Sequence, residues 1–273
     1  MSAQVVRPRV VSVEEPPVRP VRTLASRIVT FCLVELQKLR HDRTEVVTRA
    51  IQPVLWLVVF GTTFSQIRGL PTEGVSYLAY LAPGVIAQSA LFVAIFYGIQ
   101  IIWERDAGIL SKLLVTPTPR VALVAGKAFA AGVRSMVIAA VVFVVAALMR
   151  IPIIWNPLRL LGVIAVVMLG SAFFACLSLS IAGVVLKRDR LMGIGQAITM
   201  PLFFASNALY PVAIMPGWVR AIANANPLSY EVSALRSLML GLPTNLGLDF
   251  AVLGGAAVVG IAVAGSLVGR LSR

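Results

Sequence analysis

Along this chain apolar positions gather into six runs that approach the roughly 20 residues a helix needs to cross hydrocarbon: 50–67, 77–103, 121–149, 160–186, 191–214 and 248–268. Six crossings put both termini on one side. The first run is short and carries Gln52 and Pro53 near its start, so its boundary is free to slide by several residues. The third holds Lys127 and Arg134 and enters the apolar zone late.

Three further segments have a helical period without the length of a span. In the first, Leu24, Ile28, Phe31, Leu36 and Leu39 recur at spacings of 4, 3, 5 and 3, interleaved with Arg22, Arg27, Lys38, Arg40 and Arg43. This predicts an interfacial elbow helix over 23–45, its apolar stripe at the acyl boundary and its cations toward anionic headgroups. In the second, 104–120, Ile109, Leu110, Leu113 and Leu114 share one face behind the charged lead-in Glu104-Arg105-Asp106, and Pro117 and Pro119 end the helix. Such a loop is either a grip for a soluble partner or an ordinary basic connection. The third, 211–247, is too apolar for a simple loop. There Asn226 reads as an N-cap and Pro227 as the first helical residue. Leu228, Val232, Leu235 and Met239 make the stripe, and Gly241 with Pro243 closes the helix. About 14 residues are too few to cross, which predicts a re-entrant or outer-surface helix tucked among the spans. Arg236 then needs partners. Glu231, five residues earlier, lies on another face, so carbonyls, headgroups or water are expected.

The first 22 residues carry Pro8, Pro16, Pro17 and Pro20 among Arg and Glu and lack the apolar core of a secretory signal. They read as a disordered tail. The expected layout is thus tail 1–22, elbow 23–45 and a six-span domain over 46–273.

Composition agrees, with 59% apolar residues, 13% charged residues and a mean hydropathy of +0.91. A net charge of +13 would raise nucleic acid as a partner in a soluble protein. Here eighteen Lys and Arg fall on the side of the termini and five on the other, at Arg68, Arg150, Arg159, Arg220 and Arg236. Basic loops stay cytoplasmic. The excess charge is therefore a topology signal, both termini are expected in the cytoplasm, and no nucleic-acid partner is expected.

Cys32 and Cys176 sit in unlike settings and His41 is the only histidine, so neither a disulfide framework nor a metal site is expected. Gly126-Lys127 is followed by Ala128 without the upstream glycine of a phosphate loop, and neither G-x-S-x-G nor H-E-x-x-H occurs. No catalytic residue is assigned. Few ionisable residues lie deep in the runs, which argues against a proton relay, so energy must come from elsewhere. Gly162, Gly170, Ser171, Ser178 and Gly183 read as helix-packing positions.

Two motifs carry a resemblance. Glu104-Arg105-Asp106-Ala107-Gly108, continuing to Leu113-Leu114 and Thr116-Pro117, is similar to E-R-E-x-G-T-x-E-x-L-L-x-T-P. Asn226-Pro227-Leu228-Ser229-Tyr230, leading to Leu235-Arg236, is similar to N-P-L-x-Y-x-x-x-x-L-R. Together, in order, they resemble the permease subunits of type-2 ABC exporters, in particular the daunorubicin-resistance permeases. The chain departs from that pattern at Asp106 and Ile109, at Ser111 and Lys112, where no carboxylate stands, and at Ser233, where Asp is frequent.

The resemblance implies an all-α subunit in a bacterial-type plasma membrane, paired with a second copy or a homologous permease. Two nucleotide-binding ATPase subunits would bind the ATP and Mg, leaving this chain without a cofactor of its own. It implies that Glu104, Arg105, Asp106, Gly108, Leu110, Leu113, Leu114 and Pro117 couple to those ATPases. Asn226, Pro227, Tyr230 and Arg236 are read as an outer re-entrant gate. The implied function is export of amphiphilic drugs, natural products or lipids. The alternatives are export of lipid-linked oligosaccharide, since nodulation-type permeases look similar, and a membrane scaffold without transport.

Overall fold

In the computed structural model, described for residues 26, 28–30, 32, 33, 37, 41, 43–66, 72, 74–108, 120–185 and 187–269, every regular element is a helix. The tail 1–22 and the coupling positions Leu110, Leu113, Leu114 and Pro117 lie outside the described residues, and the elbow is described only at scattered positions.

Helix α1 begins as Arg43–Leu55, passes through a π-helical turn at Trp56–Phe60 and ends with Gly61–Phe64. Pro53 removes a backbone donor inside it, and the widened turn follows three residues later. Next come α2 (Tyr77–Asp106), α3 (Arg120–Leu148), α4 (Pro157–Val185) and α5 (Arg188–Phe204). They are followed by α6 (Gly217–Ala225), α7 (Pro227–Leu240) and α8 (Leu246–Val268).

Among the described residues five helices are long and apolar enough to cross a membrane: Thr44–Phe64, Tyr77–Asp106, Val121–Leu148, Pro157–Val185 and Leu246–Val268. The fifth apolar run behaves differently. Its helix, α5, has 17 residues and holds Pro201, and after Phe204 the chain turns through Ser206 and Asn207 to Pro211, where 191–214 read as one span. At 1.5 Å per residue α5 is about 26 Å long, slightly under a hydrocarbon core of about 30 Å.

Helix α2 is the centre of the bundle, buried along most of its length by α3, α4, α7 and part of α5, while α1 is the least covered span. Lipid is as apolar as leucine, so helices in a bilayer gain by approaching closely and by sharing hydrogen bonds. Gly98 lies against Ser178 and Ala175, where a methyl group would collide. Ser178 donates across that contact to the Ile95 carbonyl at 2.7 Å, and Ser135 of α3 donates to the Ala90 carbonyl at 3.3 Å.

Helix α7 is set by its own sequence. The Asn226 side chain caps the Leu228 amide at 3.0 Å, Pro227 occupies the first turn, and Gly241 leaves the helix at φ 76°. Leu228, Val232, Leu235 and Met239 are all buried. The α3–α4 connection closes the far end, its Ile154 amide donating to the Met239 carbonyl at 2.8 Å.

Candidate functional site

Polar side chains in an apolar bundle must find partners, and here they do so at both ends. At the end where α2 starts, the last carbonyls of α5 would be orphans, because no further turn follows. Asn226 donates to the Leu202 and Ala205 carbonyls at 2.7 and 3.0 Å. Ser206 takes the Phe203 carbonyl and Tyr210 the Phe204 carbonyl, both at 2.6 Å. Arg236 completes the cap. Its guanidinium donates to the carbonyls of Asn207 at 2.6 Å and Tyr80 at 3.3 Å, and lies 3.5 Å from the Tyr80 ring centre. Gly84 permits the approach, since a Cβ there would strike the Ala208 carbonyl.

Arg236 is only 4% exposed, which fits a buried cross-link and not a snorkelling surface cation. Of the outer positions read from sequence, Asn226, Pro227 and Arg236 meet in this cap. Tyr230 stands apart, its hydroxyl donating to the Asn224 carbonyl at 2.7 Å.

At the opposite end a chain of charges joins three helices. Lys127 of α3 pairs with Glu104 of α2. Arg134, two turns further along α3, pairs with Glu45 of α1 at 2.5 Å and reaches Gln100 at 3.3 Å. The Tyr97 ring lies between the cations, 5.9 Å from the Lys127 ammonium and 5.5 Å from the Arg134 guanidinium. Arg49 holds the other oxygen of Glu45 at 2.8 Å. Lys127 and Arg134 are buried, and removing Glu104 leaves the Lys127 ammonium without the carboxylate that faces it.

Glu104 thus faces inward to Lys127, whereas the partly exposed Arg105 and the more exposed Asp106 pair with each other at 2.9 Å. Gly108 follows the end of α2 at φ 69°.

Sequence reasoning did not single out Glu45 or Gln88, weighed Glu231 only as a partner for Arg236, and read Lys127 and Arg134 only as markers of where a span starts. A cation inside an apolar run was the available signal for Arg134. Glu231 is fully buried and neither carboxyl oxygen has a hydrogen-bond partner among the described residues. Burial pushes this carboxyl well above the usual carboxylate range. It packs on Gly170, where a Cβ would collide with it. Among the described residues no group of three His, Cys, Asp or Glu side chains is placed to hold a metal.

Comparison with known proteins places this architecture. The family model described as ABC-2 type transporter matches residues 28–240. The chain is 30% identical over 191 residues to transport permease ycf38 of Porphyra purpurea, a match covering 68% of this chain and 64%, just under two thirds, of that protein. It is 25% identical over 224 residues to the daunorubicin resistance ABC transporter permease protein DrrB1 of Streptomyces coeruleorubidus, covering 82% of this chain and 78% of the other. It is 29% identical over 204 residues to nodulation protein J of Rhizobium leguminosarum bv. viciae, covering 74% and 77%. With the family model spanning most of an all-helical, multi-pass membrane chain, this protein belongs to the ABC-2 type transporter family as a transmembrane permease subunit, the member of such a system that leaves ATP hydrolysis to separate ATPase subunits.

Proposed function

We propose that this chain, paired with a second copy or a homologous permease, forms the pathway of an exporter of amphiphilic drugs, natural products or lipids. Two ATPase subunits drive it from the cytoplasm of a bacterial-type plasma membrane. The eighteen-to-five distribution of Lys and Arg supports cytoplasmic termini and, with them, a Glu104 end on the inside. In this reading α5 and the turns after it complete a sixth crossing, and α7 is re-entrant from the outer face.

One observation carries the mechanical part: the charge chain Glu104–Lys127 and Arg134–Glu45 ties the lead-in of the coupling loop to α1, α2 and α3 at once. A push on the loop therefore moves three spans together. ATP binding closes the ATPase dimer on this surface and favours one arrangement of the spans, which supplies the differential stabilisation that a population shift requires. At the outer end the Asn226 and Arg236 cap holds α5, α2 and α7 together, and its release is the gating step.

The second cargo class implied by the resemblance to nodulation-type permeases, lipid-linked oligosaccharide, would use the same machinery, and the similarity to nodulation protein J is in keeping with it. Copurification with an ATPase encoded beside this chain, followed by ATP hydrolysis in nanodiscs, tests the proposal. A stable complex whose hydrolysis rises severalfold with an amphiphile is expected. An ATPase that neither copurifies nor responds contradicts it.

A further inference from the structure

Between the first turns of α1 and the middle of α2 lies a cavity of about 210 Å³. Its polar lining includes Thr48 and Gln52 of α1 and Gln88 and Ser89 of α2, and Phe92 and Phe96 belong to its apolar wall. Gln88 stands 11 positions beyond Tyr77, about 16 Å along the axis of α2 and so within the hydrocarbon core.

The polar oxygens here are short of protons. The Thr48 hydroxyl donates to the Thr44 carbonyl at 2.9 Å and the Ser89 hydroxyl to the Ile86 carbonyl at 2.7 Å, so each has only lone pairs left to offer. Gln88 is 3% exposed, and its carboxamide oxygen is buried with no hydrogen-bond partner. A buried acceptor left unmet is costly unless a donor reaches it. The terminal torsion of a glutamine is broad, so a turn of the carboxamide brings that oxygen to the cavity it lines.

A deprotonated phosphate or carboxylate brings no proton to these oxygens. An ammonium does, but none of the lining residues is acidic, and Arg49 on the same wall is held by Glu45 through its Nε at 2.8 Å. A cation would thus give up its water at membrane depth with no carboxylate on the cavity wall. A neutral hydroxyl or amide N–H meets the acceptors without that loss, and its own oxygen accepts in return from a carboxamide NH2 of Gln52 or Gln88. Volume sets how much enters. At about 30 Å³ for each water-sized group the cavity holds about seven, enough for a headgroup and too few for a whole amphiphile. Around the exposed Gln52, α1 also exposes Val47, Ile51 and Leu55, an apolar flank along which the rest of such a molecule can lie.

We propose that this cavity binds the neutral, hydrogen-bond-donating headgroup, hydroxyl or amide, of an amphiphile that enters sideways from the bilayer. Gln88 is its acceptor, and Phe92 and Phe96 cover the first carbons of its apolar body. The inference rests on the exporter reading and names the headgroup chemistry of what the pathway carries.

The test uses the full chain in phosphatidylcholine nanodiscs, without ATPase. It measures retention, above empty nanodiscs, of 1-O-dodecylglycerol, of its dimethyl ether and of dodecylammonium. The ether keeps the body and the acceptor oxygens of the diol but has no donor. The diol is expected to be held at least about fivefold more tightly than either. Gln88→Met, similar in length but without an acceptor oxygen, should bring diol and ether to equal retention, with helical content and melting point confirming the fold. Should that variant not fold, Gln52→Met, at an exposed position, takes its place and should weaken diol binding severalfold. Equal retention of diol and ether by the wild type overturns the proposal. So does dodecylammonium held as tightly as the diol, or wild-type behaviour in the deciding variant. Adding dioleoylglycerol to the nanodiscs separates the sources: lost diol binding identifies a membrane lipid's hydroxyl headgroup as the ligand, and retained binding a single-chain solute, each upholding a neutral donor. Because ATP takes no part, failure here leaves export itself standing, and failure of export is read separately from ATP-driven uptake.

Discussion

At the scale of single residues, the two ionisable groups of α7 have opposite fates. Arg236 is buried but met by carbonyls and the Tyr80 ring, whereas Glu231 is buried with neither oxygen met among the described residues. Replacing Arg236 by Leu removes the donors to Asn207 and Tyr80 and deprives the Asn207 carbonyl, which lies outside any helix, of its 2.6 Å donor, at roughly 1–3 kcal/mol. The expected outcome is a folded complex with intact ATP hydrolysis and export reduced severalfold. Wild-type export would show that the cap is not a gate. Glu231 behaves in the other sense. Its carboxyl titrates higher folded than unfolded, so the folded state retains a proton that the unfolded chain loses near the ordinary value of 4.5. Stability therefore falls as pH rises above that value. A Glu231→Gln chain, which has no such proton, should show a flatter melting point against pH and melt higher at neutral pH. A melting point that rises with pH in the wild type would contradict this. That Arg236 needed partners other than Glu231 was legible, with carbonyls, headgroups or water as the alternatives, because a cation on a short apolar helix cannot stay unmet. Which carbonyls was not legible, since Tyr80 lies 156 positions away in sequence and only packing brings it near.

At the scale of elements, periodicity and caps located α7 well, because Asn226, Pro227 and Gly241 act locally. The run 191–214 misled for the converse reason. Its hydropathy says nothing of the break after Phe204, which depends on side chains from Asn226 and Tyr210 accepting the role of the missing next turn. The charge chain was hidden too, as Glu45, Glu104, Lys127 and Arg134 come from three helices. Its pairing can be tested by charge exchange. Glu104→Lys and Lys127→Glu should each lower the melting point and weaken coupling of hydrolysis to export, by roughly 3–5 kcal/mol where one partner of a buried pair is left alone. The double exchange should recover much of both. No recovery would mean that the two side chains do not act as a pair.

At the scale of the whole molecule, one asymmetry organises the rest. Cations crowd one end of the bundle, where they face Glu104 and Glu45, and are sparse at the other, where Arg236 meets backbone carbonyls and the Tyr80 ring. The loosely covered α1 exposes Val47, Ile51, Leu55, Val59 and Phe60, an apolar face suited to lipid or to a second permease. In the proposed machine the charged end receives force and the capped end releases cargo. The most direct measurement is ATP-dependent accumulation of a fluorescent amphiphile in inverted proteoliposomes holding this permease and its ATPase. The account predicts uptake that requires both proteins and ATP, is lost with Glu104→Ala despite normal insertion, and is reduced severalfold with Arg236→Leu. Uptake by the ATPase-free permease at the same rate, or undiminished uptake by the Glu104→Ala chain, would contradict it.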